Sequence, residues 1–293
     1  MGLRPAPRAR DHPVRAHAGP HLALRRPDDV AHDVTRAIPN VGAADGAPDG
    51  APDGAPDGVA AGVAAGAASE PHRPTARRVR VAALLGHLAP ASAAAVVVDV
   101  DDDERVHDAE RAVVGGAVAV RRREFAAGRR AARAALAQLG VVVDGPLLPD
   151  ADRVPRWPEG VVGSLSHGAG LAAAVVARSD RWRGVGVDVE ADRPLPDEVI
   201  GLVFSESERQ RLLATTSLAP AVVGKRLFAI KESVYKAVFP TTRVPFEFAD
   251  VDVEVVGDAA FVAHLGPRTG SPYAVLRGAF SCVDGVVVAV TAF

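Results

Sequence analysis

The sequence predicts an α+β fold behind a disordered leader, and three observations carry that expectation. The first quarter is low in complexity and shows neither helical nor strand periodicity. From Val79 onward, short apolar runs interleave with amphipathic stretches without strict βαβ alternation. The apolar share of the 293 residues, 48%, is ample for a buried core.

From Met1 to about Arg78 the chain is Pro, Gly, Ala, Asp and Arg, with a tandem Gly-Ala-Pro-Asp unit running from Asp45 to Gly58. His12, His17, His21, His32 and His72 lie here without the spacing of a metal site. Residues 1–78 are therefore expected to be a disordered leader, with an over-extended translation start as an open alternative. The folded part is expected over 79–293. Ala93 to Val100 reads as a buried strand. Val118 to Gly140 reads as a helix with Phe125, Ala132, Leu136 and Leu139 on one stripe and Gly140 at its C-terminal cap. Arg121, Arg122, Arg123, Arg129, Arg130 and Arg133 occupy its remaining surface, either as a solvated face or as a phosphate-binding rim.

A Pro-rich stretch from Pro146 to Pro158 leads into strands at Gly160 to Leu165, Leu171 to Ala177 and Gly184 to Glu190. Helices are expected at Pro196 to Ala214 and Ala221 to Phe239. Further strands are expected near Val251 to Val256 and from Tyr273 to Ala292, the latter folded at an Asp284-Gly285 hairpin turn.

Composition narrows the function classes. Thirty-four basic and 36 acidic residues give a net charge of −2, so no global attraction to nucleic acid or anionic lipid is indicated. Cys282 is the single cysteine, which excludes an intrachain disulfide and a cysteine-based metal site. No stretch is apolar over the roughly 18 residues that a membrane span requires, and a cytoplasmic protein is expected. Only Lys225, Lys231 and Lys236 are lysines, against 31 arginines. Three ammonium groups so close together suggest a site that needs compact point charges rather than planar forks, with chance clustering as the alternative.

Three local patterns could carry chemistry. In Gly184-Val185-Gly186-Val187-Asp188-Val189-Glu190, the strand period of two turns Asp188 and Glu190 to one side. A hard divalent cation is the usual resolution of such repulsion, and the wet face of an edge strand is the plainer reading. In Phe228 to Lys236, Leu227, Ile230, Val234 and Val238 form a buried stripe, while Lys225, Glu232 and Lys236 share the opposite face. Glu232 and Lys236 could equally be an ordinary i,i+4 pair. Gly163-Ser164-Leu165-Ser166-His167-Gly168 passes from strand to turn with two hydroxyls and an imidazole, able to meet a phosphate or to be satisfied internally. It lacks the Gly-x-Ser-x-Gly spacing of a nucleophile elbow.

In this order, Ser164-x-Ser166-His167, Gly186-x-Asp188-x-Glu190 and Lys231-Glu232-Ser233-x-x-Lys236 resemble the Sfp-type 4′-phosphopantetheinyl transferases. The likeness is nearest to the enterobactin-synthase subgroup. Its pattern is matched by Arg123-Glu124-Phe125 with Gly128-Arg129, by Arg153-x-Pro155-x-Trp157-Pro158, and by Lys231-Glu232-Ser233 through Phe239-Pro240. The resemblance runs from about Val118 to Pro240.

The resemblance implies two similar α+β halves with pseudo-twofold symmetry, about 79–187 and 188–293, in one monomeric chain. It implies Mg²⁺ ligands at Asp188, Glu190 and Glu232, and coenzyme A as substrate. Glu232 and Lys236 would be catalytic, together with Glu208 of Phe204-Ser205-x-x-Glu208 as a base or as the holder of a water. Arg129, Arg153, Ser166, His167, Asp188, Lys231 and Lys236 would bind the coenzyme. The implied reaction moves phosphopantetheine to a serine of an acyl or peptidyl carrier protein, in siderophore, non-ribosomal peptide or polyketide synthesis. A coenzyme A or carrier-protein binding protein without transfer, and a Mg²⁺-dependent hydrolase of the same pyrophosphate, are the alternatives.

Overall fold

A computed structural model describes residues 75–293. Most of the expected leader, residues 1–74, lies outside the described residues. The described chain opens with α1 (Ala76–Leu88), capped by the Thr75 hydroxyl, a helix that was not expected and that starts slightly before Val79. It continues with β1 (Ala94–Asp99), α2 (Asp108–Val114), α3 (Ala119–Gln138), β2 (Val161–Gly168), β3 (Leu171–Arg178) and β4 (Val185–Ala191). Then come α4 (Asp197–Val203), α5 (Glu206–Ala214), α6 (Pro220–Thr242), β5 (Val251–Val256), β6 (Ala260–Leu265), β7 (Val275–Val283) and β8 (Val286–Ala292).

The strands form two antiparallel sheets, one ordered β1-β3-β2 and the other β4-β8-β7-β6-β5. Each sheet carries one long helix. Ala131, Ala132, Ala135 and Leu136 of α3 pack on Ala174 and Val176 of β3. Leu227, Ile230, Val234 and Val238 of α6 pack on Val253, Phe261, Val287 and Ala289 of the larger sheet, so the stripe expected from the sequence is the buried one. A third apolar cluster joins the two sheets, with α1 across them through Val81, Leu84 and Leu85 and with Val175, Val187, Val189 and Val288 between. The β-rich, valine-rich strands are thus buried on both faces at the middle of the molecule. The expected division between 187 and 188 falls inside β4, all of which belongs to the larger sheet.

Two small side chains splice the sheets together. The Ser164 hydroxyl accepts from the Val187 amide and the Ser166 hydroxyl from the Val189 amide, both at 3.1 Å. Alternate residues of β2 thereby satisfy alternate donors of β4. On the other side of β4, α6 lies so close that a methyl group at Gly186 would collide with the Ser233 carbonyl, so only glycine fits there. The hairpin expected at Asp284-Gly285 is present, with φ of 52° and 68°.

Three departures from the sequence reading have local causes. The helix expected from Pro196 to Ala214 is broken at Phe204 because Ser205 caps α5, while Glu208 reaches back to the Ser205 amide and closes a capping box. α6 runs beyond Phe239 to Thr242, and Arg243, with φ 56°, ends it. α1, α2 and β6 were not expected, α2 too short and β6 too irregular to show a period.

Candidate functional site

The seam between β2, β4 and α6 gathers most of the polar residues expected to act. Asp188 is 2% exposed on β4; one oxygen, Oδ1, accepts from the Ser166 hydroxyl at 2.9 Å and from Lys236 Nζ at 2.6 Å. Its other oxygen, Oδ2, is buried without a partner among the described residues. Glu190, two residues on and therefore on the same side, meets Lys225 Nζ at 2.9 Å. Glu232 approaches from α6, with Lys236 Nζ 4.0 Å from its Oε2. Burial raises the Glu232 carboxyl pKa; Lys236 opposes the rise, and the charges of Asp188 and Glu190 add to it. The charges of Asp188 and Glu190 on β4 therefore reach Glu232 on α6. As placed they do not close into a ready cation cage among the described residues, since each has an ammonium near it. An unpartnered buried oxygen amid three acids nonetheless suits a hard cation.

His167 ends the serine-bearing strand β2 beside this cluster. Its Nε2 faces the Arg121 guanidinium and its Nδ1 lies 3.6 Å from Glu124. Burial lowers its pKa, Glu124 and Asp188 counteract that, and Arg121 and Lys236 lower it further, which favours the neutral ring. Arg121 also lies within charge range of Arg129, which is 5% exposed and stacked over the Phe125 ring at 4.2 Å. Burial brings Arg129 down to about 10, leaving it cationic at neutral pH, and its buried Nε has no hydrogen-bond partner among the described residues, Glu110 lying 3.9 Å away. Arg153 is exposed, at φ 65°, on a loop held by Asp150 and Asp152 through Arg243.

Two expected site residues sit elsewhere. Lys231 and Glu208 form an ion pair at 2.7 Å in which neither side chain is exposed. The Lys231 ammonium also donates to the carbonyls of Val203 and Phe248, and Glu208 accepts from the amides of Ser205 and Val253. Burial lowers Lys231, with Glu208 opposing. Lys231 as a phosphate contact and Glu208 as a base are therefore corrected to a closed internal bridge that ties α6 to α4, α5 and β5. The physical reason is helical pitch: Lys231 follows Ile230 into the core, while Glu232 turns toward the seam.

Sequence reading missed the partners Arg121 and Glu124 of His167, and left the arginine surface of α3 undecided between a solvated face and a phosphate rim. Arg122, Arg123, Arg130 and Arg133 are matched by Glu104, Asp102, Asp101 and Glu110 respectively. The acidic run from Asp99 to Glu104 was the available signal. Burial pushes the Cys282 thiol up to about 12, which disfavours its thiolate.

Known proteins resemble the chain along this whole arrangement. A family model described as the 4′-phosphopantetheinyl transferase N-terminal domain matches residues 109–177, and one described as the 4′-phosphopantetheinyl transferase superfamily matches residues 184–290. The 4′-phosphopantetheinyl transferase Svp of Streptomyces mobaraensis is 43% identical over 166 residues, covering 55% of this chain and 67% of its own. The 4′-phosphopantetheinyl transferase Npt of Nocardia iowensis is 34% identical over 214 residues, covering 68% of this chain and 94% of its own. Enterobactin synthase component D of Salmonella typhi is 38% identical over 127 residues, covering 43% and 51%.

Proposed function

Because the chain belongs to the 4′-phosphopantetheinyl transferase superfamily, and is a transferase of that kind, we propose that the seam of β2, β4 and α6 is where it uses coenzyme A to modify a carrier protein. The observation that carries this placement is the buried, unpartnered Asp188 Oδ2 in a seam where the charges of Asp188 and Glu190 both reach Glu232.

A divalent ion, magnesium by resemblance, would be held by Asp188, Glu190 and Glu232 and would neutralise charge on the pyrophosphate. The remaining work belongs to side chains. Lys236, half-exposed above Asp188, meets the phosphate that gains charge as its bond to the leaving group stretches. Neutral His167 and the Ser166 hydroxyl orient the same group from β2. Arg129 and the exposed Arg153 hold the coenzyme's outer phosphates. Glu232, whose proton affinity burial raises, takes the proton of the carrier serine as its oxygen attacks the β-phosphate. The new bond is serine oxygen to phosphorus, the broken one is the pyrophosphate bridge, and 3′,5′-adenosine bisphosphate leaves. Lys231 and Glu208 hold α6 in register without touching substrate.

The carrier belongs to siderophore, other non-ribosomal peptide or polyketide synthesis in the cytoplasm. The matched motifs of the enterobactin-synthase subgroup and the likeness to enterobactin synthase component D support that choice.

The experiment is mass spectrometry of apo carrier proteins from peptide, polyketide and fatty-acid systems incubated with the enzyme, coenzyme A and Mg²⁺. A gain of one phosphopantetheine arm that needs the ion and disappears in Glu232→Ala is expected. Release of free 4′-phosphopantetheine and 3′,5′-adenosine bisphosphate with no mass gain on any carrier would replace transfer by hydrolysis.

A further inference from the structure

Lys225 is the one lysine that the transferase reading does not use. It sits in the second turn of α6, its side chain 15% exposed, with Nζ 2.9 Å from Glu190 Oε2 and 5.0 Å from the centre of the Phe228 ring. Three turns later on the same helix, Lys236 meets Asp188 at 2.6 Å and lies 4.0 Å from Glu232. One helix thus presents an ammonium to each end of a three-carboxylate cluster. Two positive charges against three negative ones leave one negative charge unmatched, and with it the bare Asp188 Oδ2. Such a cluster can persist without a metal, since its repulsion is largely neutralised.

This partial neutralisation is also an obstacle to a dication. Glu190 cannot serve a metal with the same oxygen that holds Lys225 at hydrogen-bond distance, and a nearby ammonium repels a doubly charged ion. We propose that Lys225 is an internal counter-cation for Glu190, which keeps that carboxylate in place before the divalent ion arrives and sets how tightly the ion is held. The residue type agrees with the role. An arginine would grip the carboxylate with a planar two-pronged fork, whereas a lysine is a point charge on a flexible stem that can let go. In a chain where Lys is otherwise replaced by Arg almost everywhere, lysine stands here. The ring of Phe228 gives the displaced ammonium a place to rest.

This inference rests on the proposed role of Glu190 as a metal ligand. The test is titration of the full chain with Mn²⁺ alone, read by calorimetry and by the paramagnetic signal of free Mn²⁺, together with melting temperatures at zero and saturating Mn²⁺. Removing one positive charge at this range should tighten Mn²⁺ by about three- to tenfold in Lys225→Met, while lowering the melting temperature of the metal-free protein. Lys225→Arg should bind Mn²⁺ no more tightly than the parent and melt no lower. If Lys225→Met does not fold, Lys225→Gln removes the same charge and is measured in its place. Unchanged or weaker Mn²⁺ binding in the neutral variant, with Glu190→Gln weakening it, overturns the role of Lys225 alone. Unchanged binding in Glu190→Gln overturns the ligand assignment and this inference with it.

Discussion

Lys231 and Glu232 are neighbours in the chain and belong to opposite kinds of electrostatic environment. Lys231 ends in a sealed bridge with Glu208, where every charge has a partner and no atom meets solvent. Glu232 ends in a cluster of like charges with an acid oxygen left bare, half-open to the surface. A satisfied buried pair holds a helix in place, and an unsatisfied cluster is a place where something can bind. One helical step, about 100° around the axis, separates the two.

The contrast is sharpest when one member of the sealed pair is removed. Lys231→Met should destabilise the fold by about 3–5 kcal/mol, because Glu208 becomes a lone buried carboxylate; a denaturant midpoint measures it. Pairing Lys231→Met with Glu208→Leu should recover part of that loss, with a coupling of about 0.5–3 kcal/mol in the double-mutant cycle. Additive losses would mean that the two charges do not depend on each other.

Glu232→Gln should do the reverse, cutting transfer by about a hundredfold or more while raising the melting temperature of the metal-free protein. The folded pKa of Glu232 lies above its ordinary 4.5, so the fold prefers the neutral form and loses stability as pH rises through that range. A glutamine removes the penalty, and a melting curve above pH 6 that is lower than the parent's would refute it. The smallest expected effect concerns His167. Its folded pKa lies below the ordinary 6.5, so stability that is complete above 6.5 should fall as pH drops, when the unfolded chain takes up a proton that the fold resists. His167→Gln should flatten that slope between pH 7 and 5.

Much of the framework was legible in the sequence because it rests on local periodicity. The stripe Leu227, Ile230, Val234 and Val238 announced which side of α6 is buried, and the alternation in Gly184 to Glu190 announced that Asp188 and Glu190 share a side. The Asp284-Gly285 turn was readable because few other dipeptides accept two left-handed residues. Ser205-x-x-Glu208 also carried a signal, that of a capping box, which marks the break between α4 and α5 and explains why Glu208 faces inward.

What the sequence by itself determined is most of the inventory: where the long helices and most strands lie, which of their faces are apolar, and which few residues carry charge into strands otherwise made of valine and glycine. Periodicity is a property of the backbone over a few residues, so no distant contact is needed to read it. The tertiary structure alone decided which charges meet. Glu190 met Lys225, Asp188 met Ser166 and Lys236, and Lys231 met Glu208 because two sheets close on each other through Ser164 and Ser166 and draw α6 against Gly186. Those partners lie 22 to 48 residues apart, and the energy of an ion pair depends on burial and distance that only packing sets.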